Sequence, residues 1–253
     1  MESLDDEFYQ RIEQSANATV LAAGHELGSR FMLRSVLDNP ELLNDTNGII
    51  LIGKCRTANL VSLRQICRFI ACTGLNPYYA DVDQVNCHGE HIAQEAVRHL
   101  LQKGHRKIGY LGECNGDVRY FGYRQAIKAG SIDMESPYVF DVSQTEIGGL
   151  EAARQYSRLS DKPTAIFCVN DVSAIGLIRG LKNLQPDKPL PAIISIGDVQ
   201  EAENMQPSLT TVHLPLEEMG KIAAWVLMDR LKGGHSIPLK VELPYYIVSR
   251  ESV

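Results

Sequence analysis

Short apolar runs alternate with amphipathic segments along almost the whole chain, and this alternation constrains the fold more than any other feature. Residues 163–176, PTAIFCVNDVSAIG, show one such unit: an apolar run ends at Asn170 and Asp171, and helical spacing of apolar residues follows at once. The run is typical of a buried parallel strand and the spacing of a helix. Repetition of this unit predicts parallel sheets with helices on both faces.

These units are too numerous for one small sheet, and 253 residues are enough for two lobes. We therefore expect two α/β lobes, with the carboxyl ends of the strands gathered where open sheets bind their ligands. The predicted strands are residues 25–33, 48–54, 69–75, 107–112, 138–142, 165–169, 191–198, 209–214 and 239–250. The predicted helices are residues 8–23, 58–66, 92–103, 119–129, 150–156, 174–181 and 217–231.

The charge and the apolar pattern argue against two classes of partner. The formal net charge of −6 at pH 7 gives the chain no electrostatic footprint for nucleic acid. No apolar run reaches the ~18–20 residues of a membrane helix, and the start, MESLDDEFYQ, is acidic where a signal peptide would be basic and then apolar. We therefore expect a soluble, cytoplasmic protein that does not contact a membrane.

The sequence offers no motif for catalysis, metal binding or nucleotide binding. Six cysteines, at positions 55, 67, 72, 87, 114 and 168, lack CxxC spacing, which indicates free thiols. Cys87 and His88 are adjacent, and on an extended segment their side chains would point to opposite faces instead of sharing a metal. GxGxxG, P-loop and GxSxG motifs do not occur. We predict no catalytic residue, no metal and no cofactor.

Isolated polar residues stand at the ends of the predicted strands. Asp83 closes the run YYADVD, Arg119 opens a helix after KIGYLG, and Asn170 and Asp198 each end a strand. Helix capping or turn formation would explain any one of them alone. Together, at the edge expected to bind a ligand, their carboxylate, guanidinium and amide groups suit the hydroxyl groups of a sugar or polyol.

Five motifs then carry a resemblance to a known family. In chain order they are GHRKIGYLG, RYFGYRQA, PTAIFCVNDVSAIG, PSLTTVHLPLEEMG and VELPYYIVSRES. Their order and spacing resemble the effector-binding domain of LacI/GalR-family transcriptional repressors, and the resemblance extends from Phe8 to the end of the chain.

The resemblance implies a periplasmic-binding-protein-like fold, that is, two doubly wound lobes with mostly parallel sheets. The N-terminal lobe would comprise residues 1–112 and 215–233, without the family's first strand, and the C-terminal lobe residues 113–214 and 234–253. The chain would cross between the lobes near residues 112–114, 213–215 and 233–237.

The resemblance also implies partners. The family forms homodimers whose affinity for DNA responds to a small-molecule effector, usually a sugar or sugar phosphate. The helix-turn-helix headpiece of the family is not in this sequence, so operator DNA would be contacted only through that absent headpiece. The helices predicted at residues 8–23 and 217–231 are available to pack at a dimer face.

Family motifs assign effector contacts to individual residues. Arg119 matches the arginine of the R-x-x-G-Y motif and Asn170 the asparagine of the N-D pair, so that Asn170 would bind the effector and Asp171 would cap the helix. Asp198, after ISIG, is a further candidate. On the other lobe the spacing leaves either Asp83 or His88 at the position that faces the ligand.

Two other functions compete with a repressor's sensing domain. A soluble sugar-binding receptor of a transport system would share the fold, but the six cysteines and the acidic start argue against secretion. An enzyme acting on sugars would need paired carboxylates about 5 to 10 Å apart, and the sequence suggests no such pair. We therefore expect a non-enzymatic sensor of a sugar or sugar derivative.

Overall fold

The structure, a computed structural model, describes residues 7–132 and 138–253, which form two compact units. The larger unit comprises Gly89–Leu214 and Tyr245–Val253. The smaller unit comprises the described residues up to His88 together with Pro215–Pro244. Each unit contains one sheet, and both sheets are mostly parallel. The predicted fold class, α/β with two mostly parallel sheets, is confirmed.

The smaller unit is a four-stranded parallel sheet with helices packed against it. The strand order is β1-β2-β3-β9. The strands are β1 (Ile49–Ile52), β2 (Ile70–Gly74), β3 (Asp83–Asn86) and β9 (Lys240–Glu242), and the helices are α1 (Glu7–Ala22), α2 (Leu33–Asp38), α3 (Thr57–Ile66) and α9 (Leu216–Leu231), with a 3₁₀ turn at Pro40–Leu43.

One predicted strand does not form in the smaller unit. Residues 25–32 have no regular secondary structure, and α2 begins at Leu33, so the prediction of a strand at residues 25–33 is wrong. Leu27, Phe31 and Met32 are all exposed there, so the segment gains little from burying apolar side chains against a sheet. In the described residues, no strand precedes β1.

The larger unit is a six-stranded sheet in the order β10-β8-β7-β6-β4-β5. Every neighbouring pair is parallel except β10 and β8, which are antiparallel. The strands are β4 (Ile108–Gly112), β5 (Val139–Asp141), β6 (Ala165–Cys168), β7 (Ala192–Gly197), β8 (Thr210–His213) and β10 (Tyr246–Val248), and the helices are α4 (Gly89–Gln102), α5 (Val118–Ala129), α6 (Glu146–Arg158), α7 (Asp171–Leu184) and α8 (Gln200–Asn204).

Helices of the larger unit pack in two pairs, α4 with α5 and α6 with α7. The second pair approaches closely because it meets at glycines. A Cβ atom on Gly149 would lie 2.1 Å from the Ser173 carbonyl oxygen, and one on Gly176 would lie 2.2 Å from that of Glu146. The core between these helices and the sheet is apolar and buried, and Ile166 and Leu177 are two of its fully buried members. This packing fixes where α7 begins, and therefore where its first residues lie.

The chain changes unit at His88–Gly89, Leu214–Pro215 and Pro244–Tyr245. The sequence placed the second change in the same region, but it placed the first near residues 112–114 and the third near 233–237. The first falls earlier because α4 packs on α5 and so belongs with the larger unit. The third falls later because β9 pairs with β3 and so stays with the smaller unit.

Candidate ligand-binding edge of the larger unit

Polar side chains follow five successive strands of the larger sheet. Because β4 to β8 are parallel, their carboxyl ends lie at one edge, which is where open α/β sheets bind ligands. We call this set of residues the carboxyl edge, and its members are Asp117, Arg119, Gln144, Asn170, Asp198 and His213.

Asp117 and Arg119 form a bidentate ion pair at the end of β4. The Asp117 side chain caps α5 by accepting a hydrogen bond of 2.9 Å from the Arg119 backbone N–H. The Arg119 Nε and Nη2 atoms donate to the two Asp117 oxygens at 2.9 and 2.7 Å. Both side chains are almost fully buried. The planar guanidinium suits this two-point contact, which a lysine would not reproduce.

Arg119 also links the ends of three strands. Its Nη1 donates to the Val169 carbonyl oxygen beyond β6 at 2.9 Å, and its Nη2 donates to the Gln144 Oε1 beyond β5 at 2.7 Å. The Gln144 Nε2 in turn donates to Asp117 Oδ2 at 3.1 Å. Arg119, predicted as a ligand contact, therefore lies at the carboxyl edge and also holds that edge together.

The residue that caps α7 differs from the prediction. Asn170 is the N-cap of α7, because its Oδ1 accepts from the Ser173 backbone N–H at 3.0 Å. Its Nδ2 donates to the Gln144 carbonyl oxygen at 2.9 Å. The prediction that Asp171 caps this helix is wrong. Asp171 is already inside the first turn, which directs its side chain into the unit, and it is 1% exposed.

The buried Asp171 side chain accepts hydrogen bonds from residues in and around the turn after β7. Its carboxylate accepts from the Thr211 hydroxyl at 2.6 Å and from the Val199 backbone N–H at 2.9 Å, and also from the Ser195 hydroxyl. Burial raises the pKa of the Asp171 carboxyl, and these hydrogen bonds offset that rise only in part. A Cβ atom on Gly197 would lie 3.0 Å from Asp171 Oδ2, so the glycine permits this close approach.

Asp198 occupies the left-handed backbone region, with φ of 55°, directly after β7. Its Oδ2 pairs with His213 Nδ1 at 2.8 Å, and its Oδ1 accepts from Arg250 Nη2 at 2.7 Å. Burial alone would raise the pKa of this carboxyl, but hydrogen bonds from Arg250 and His213 and the charge of Arg250 lower it below its usual value. Asp198 is therefore a carboxylate at neutral pH, and both of its oxygens are already engaged.

His213 closes β8 and is stacked on a second ring. The Tyr246 ring lies across the antiparallel β8–β10 pair, with a centroid distance of 4.7 Å and an interplanar angle of 26°. Tyr246 is 59% exposed, and the His213 side chain is partly exposed. The carboxyl edge thus ends in an aromatic surface beside the Asp198 carboxylate.

The prediction that Asp83 ends a strand is wrong, because it begins β3. In a parallel sheet this is the edge opposite to the carboxyl ends. Asp83 is 1% exposed, and it accepts from Arg230 Nε and Nη2 at 2.9 and 2.7 Å and from the Leu239 backbone N–H at 2.7 Å. His235 Nε2 also lies 3.2 Å from it. These bonds tie β3 to the end of α9 and to the segment before β9.

His88 follows β3 and is exposed. Of the two alternatives, Asp83 and His88, only His88 lies at a carboxyl end. Both belong to the smaller unit, whereas Arg119, Asn170 and Asp198 belong to the larger unit and lie at its carboxyl edge.

Sequence reasoning missed four residues that shape this edge. Asp117 and Gln144 bind Arg119, and His213 and Arg250 bind Asp198. Of the four, only Asp117 has a recognisable local sequence pattern, since an aspartate two residues before a helix-opening arginine is a typical N-cap. The others come from distant parts of the chain and have no local pattern.

Comparison with known proteins supports the fold independently. The family model described as a periplasmic binding protein-like domain matches residues 97–253. The HTH-type transcriptional repressor PurR of Photobacterium profundum is 30% identical over 176 residues, which are 68% of this chain and 53% of that protein. The chain thus spans about half the length of that repressor. That relative is a transcriptional repressor.

Two solved structures with bound sugars share the fold over nearly the whole chain. A LacI family transcriptional regulator from Enterococcus faecium with bound ribose has a TM-score of 0.83 at 20% identity, covering 100% of this chain and 96% of that one. The complex of the transcriptional regulator CelR with cellobiose has a TM-score of 0.84 at 23% identity, covering 97% and 79%.

None of the helices in residues 7–132 and 138–253 is long and apolar enough to cross a membrane. The family match covers more than half of the chain, and the named relatives and fold neighbours are transcriptional regulators. The chain therefore belongs to the periplasmic binding protein-like domain family, and its homologues are LacI/GalR-family transcriptional regulators.

Proposed function

We propose that this chain is the effector-sensing and dimerisation domain of a transcriptional repressor and that it binds a sugar or sugar derivative at the carboxyl edge of the larger unit. The observation that carries the proposal is the convergence of Arg119, Asn170 and Asp198 on that edge. Such a set of donors and acceptors matches vicinal hydroxyl groups, each of which both donates and accepts.

The electrostatics of the edge favour an uncharged sugar over a sugar phosphate. Arg119 is paired with Asp117, and Arg250 is paired with Asp198. Each cation is therefore already neutralised by a carboxylate, and a phosphate would have to compete with that carboxylate. A neutral sugar needs only hydrogen bonds, which charged groups make about twice as strong as neutral ones.

Dimerisation and DNA binding form the second part of the proposal. The net charge of −6 disfavours contact with phosphates, so operator DNA would be bound by a helix-turn-helix segment outside residues 1–253. The α1–α9 face is the candidate dimer surface because Trp225 and Leu21 are exposed on these two helices. Sedimentation of the chain tests this directly, and a monomer at every concentration would contradict it.

The ligand proposal is tested by thermal unfolding with D-ribose, cellobiose, other neutral sugars and their phosphates. A ligand present at 100 times its Kd should stabilise the fold by about 2.7 kcal/mol. We expect a neutral sugar to produce such a shift. A panel in which no sugar raises the melting temperature would overturn the proposal, and a response confined to sugar phosphates would overturn the preference for an uncharged ligand.

A further inference from the structure

Asp198 has no oxygen left without a hydrogen bond. Arg250 Nη2 donates to Oδ1 at 2.7 Å, and His213 Nδ1 lies 2.8 Å from Oδ2. A ligand hydroxyl would have to share these oxygens with two side chains of the protein. A neighbour of Asp198 with a polar atom that no protein group occupies would offer the ligand a contact without this sharing.

His213 is that neighbour, and its partner determines its tautomer. An ionised carboxylate only accepts hydrogen bonds, so Nδ1 of the neutral ring must carry the proton that lies between it and Asp198. The remaining nitrogen, Nε2, then carries a lone pair and accepts. Among the residues that the structure describes, Nε2 of His213 has no hydrogen-bond partner.

The ring of His213 is also fixed in orientation. Tyr246 stacks on one face at a centroid distance of 4.7 Å, and the Asp198 pair holds the Nδ1 side. Asp198 is itself held by the turn below it, since its backbone N–H donates to the Thr211 hydroxyl at 3.3 Å and that hydroxyl donates to Asp171. A pre-oriented acceptor loses little entropy on binding.

We propose that His213 is a ligand-contacting residue of the carboxyl edge, that its Nε2 accepts a hydrogen bond from an effector hydroxyl, and that Asp198 is a positioning residue that keeps this nitrogen an acceptor. The proposal rests on the proposed function for the identity of the site, and it adds a residue and a direction of hydrogen bonding. It also gives Asp198 a second role, which is to hold the ring of His213 in place beside the other polar groups of the edge.

The direction of hydrogen bonding can be measured without any ligand. A long-range ¹H–¹⁵N correlation spectrum of the histidine rings at pH 7.5 distinguishes the two neutral tautomers from the doubly protonated ring. We expect His213 to carry its proton on Nδ1. In Asp198→Asn, the amide oxygen would pair with Arg250 and the amide nitrogen would face the ring, so the proton should move to Nε2. A wild-type ring protonated at Nε2, alone or with Nδ1, would overturn the proposal.

The contact is then tested by titration calorimetry with D-ribose and cellobiose. In His213→Asn the shorter amide keeps a donor toward Asp198, but its oxygen does not reach the position of Nε2, so we expect about a three- to tenfold weaker affinity. The melting temperature should fall only slightly, through loss of the ring contact with Tyr246. His105→Asn is the matched control, because His105 precedes β4 at the opposite edge and bonds Thr164 through Nδ1 at 3.0 Å. Its affinity should equal that of the wild type.

Unchanged affinity in His213→Asn, with the wild type binding sugar, would overturn the His213 proposal and leave the proposed function standing. Absence of sugar binding by the wild type would overturn both the proposed function and the ligand contact, while the ring spectrum would still report on the Asp198 pair by itself.

Discussion

Two buried arginine–aspartate pairs of this protein have nearly the same geometry, but they lie at different ends of the strands of their sheets. In the larger unit, Arg119 donates to Asp117 at 2.9 and 2.7 Å, and in the smaller unit Arg230 donates to Asp83 at 2.9 and 2.7 Å. In both pairs the aspartate side chain, taken by itself, is 2% exposed. The first pair lies at the carboxyl edge of its sheet, whereas Asp83 lies at the amino end of β3.

The difference shows that pair chemistry alone does not identify a ligand site. Asp117 and Arg119 are two residues apart, so their bond orders one helix end and leaves the edge to be completed by other strands. Asp83 and Arg230 are 147 residues apart, so their bond joins distant parts of the smaller unit. We therefore expect the Asp83 pair to act on stability alone and the Arg119 pair to act on both stability and binding.

The largest effect on stability is expected from Asp83→Ala. Breaking a buried ion pair leaves Arg230 and the Leu239 N–H without their acceptor, which typically costs about 3–5 kcal/mol. Trp225, the single tryptophan, lies on α9 of the smaller unit, so its fluorescence during urea unfolding follows this unit. Sugar affinity at a temperature where the variant is folded should be unchanged. A loss of binding without a loss of stability would place Asp83 in the site.

Arg119→Ala is expected to lower both stability and affinity. Asp117 would lose its guanidinium partner while remaining buried, at a cost of about 1–3 kcal/mol, and sugar binding should weaken roughly tenfold to a hundredfold. Arg119→Lys keeps the charge but cannot form the bidentate pair, so its stability and its sugar affinity should lie between those of the wild type and those of Arg119→Ala. Thermal unfolding and calorimetry measure the two effects separately. If only the melting temperature fell, the two pairs would be functionally alike.

Asn170→Ala should have a smaller effect on stability because Asn170 is the cap of α7. Loss of an N-cap costs about 1 kcal/mol, with a range of about 0.5–2 kcal/mol. Asn170→Asp loses the donor to the Gln144 carbonyl oxygen. Because it keeps the capping oxygen, its stability should still stay near that of the wild type. Equal melting temperatures for Asn170→Ala and the wild type would show that the cap contributes nothing.

The smallest effects are changes in pH dependence, and they have opposite signs for two buried aspartates. Burial opposes ionisation of Asp83, but hydrogen bonds from Arg230 and Leu239 and the Arg230 charge lower its pKa below the unfolded value of about 3.9. The stability that it contributes is present above that value and is lost as the pH falls through the folded pKa. Asp83→Asn should therefore flatten the acid limb of the stability curve.

Asp171 has the opposite sign. Its folded pKa is raised by burial, so its contribution is greatest below pH ~3.9 and is lost as the pH rises through the folded pKa. Asp171→Asn should therefore remove the fall in stability that accompanies this rise in pH. Urea midpoints measured from pH 3 to pH 8 give the slope of stability against pH for the wild type and for each variant. If the two substitutions changed this slope in the same direction, the comparison would be contradicted.

Local sequence pattern determined much of this protein. The alternation of buried runs and amphipathic segments predicted the α/β class because strands and helices bury side chains with different periods. The same pattern placed Arg119, Asn170 and Asp198 after strands, since Asn170 and Asp198 follow directly on apolar runs and Arg119 lies at the start of the helix after KIGYLG. Those predictions needed only neighbours along the chain.

Only the tertiary structure decided which of these groups bond to one another. Asn170 rather than Asp171 caps α7, because the helix begins one residue earlier than a cap at Asp171 would require and the buried Ser195, Thr211 and Val199 donors select the acid. Asp83 pairs with a residue 147 positions away, and His213 meets Tyr246 across β8 and β10. A hydrogen bond or ring contact depends on distance in space, and residues brought together by folding leave no periodic signal in the sequence.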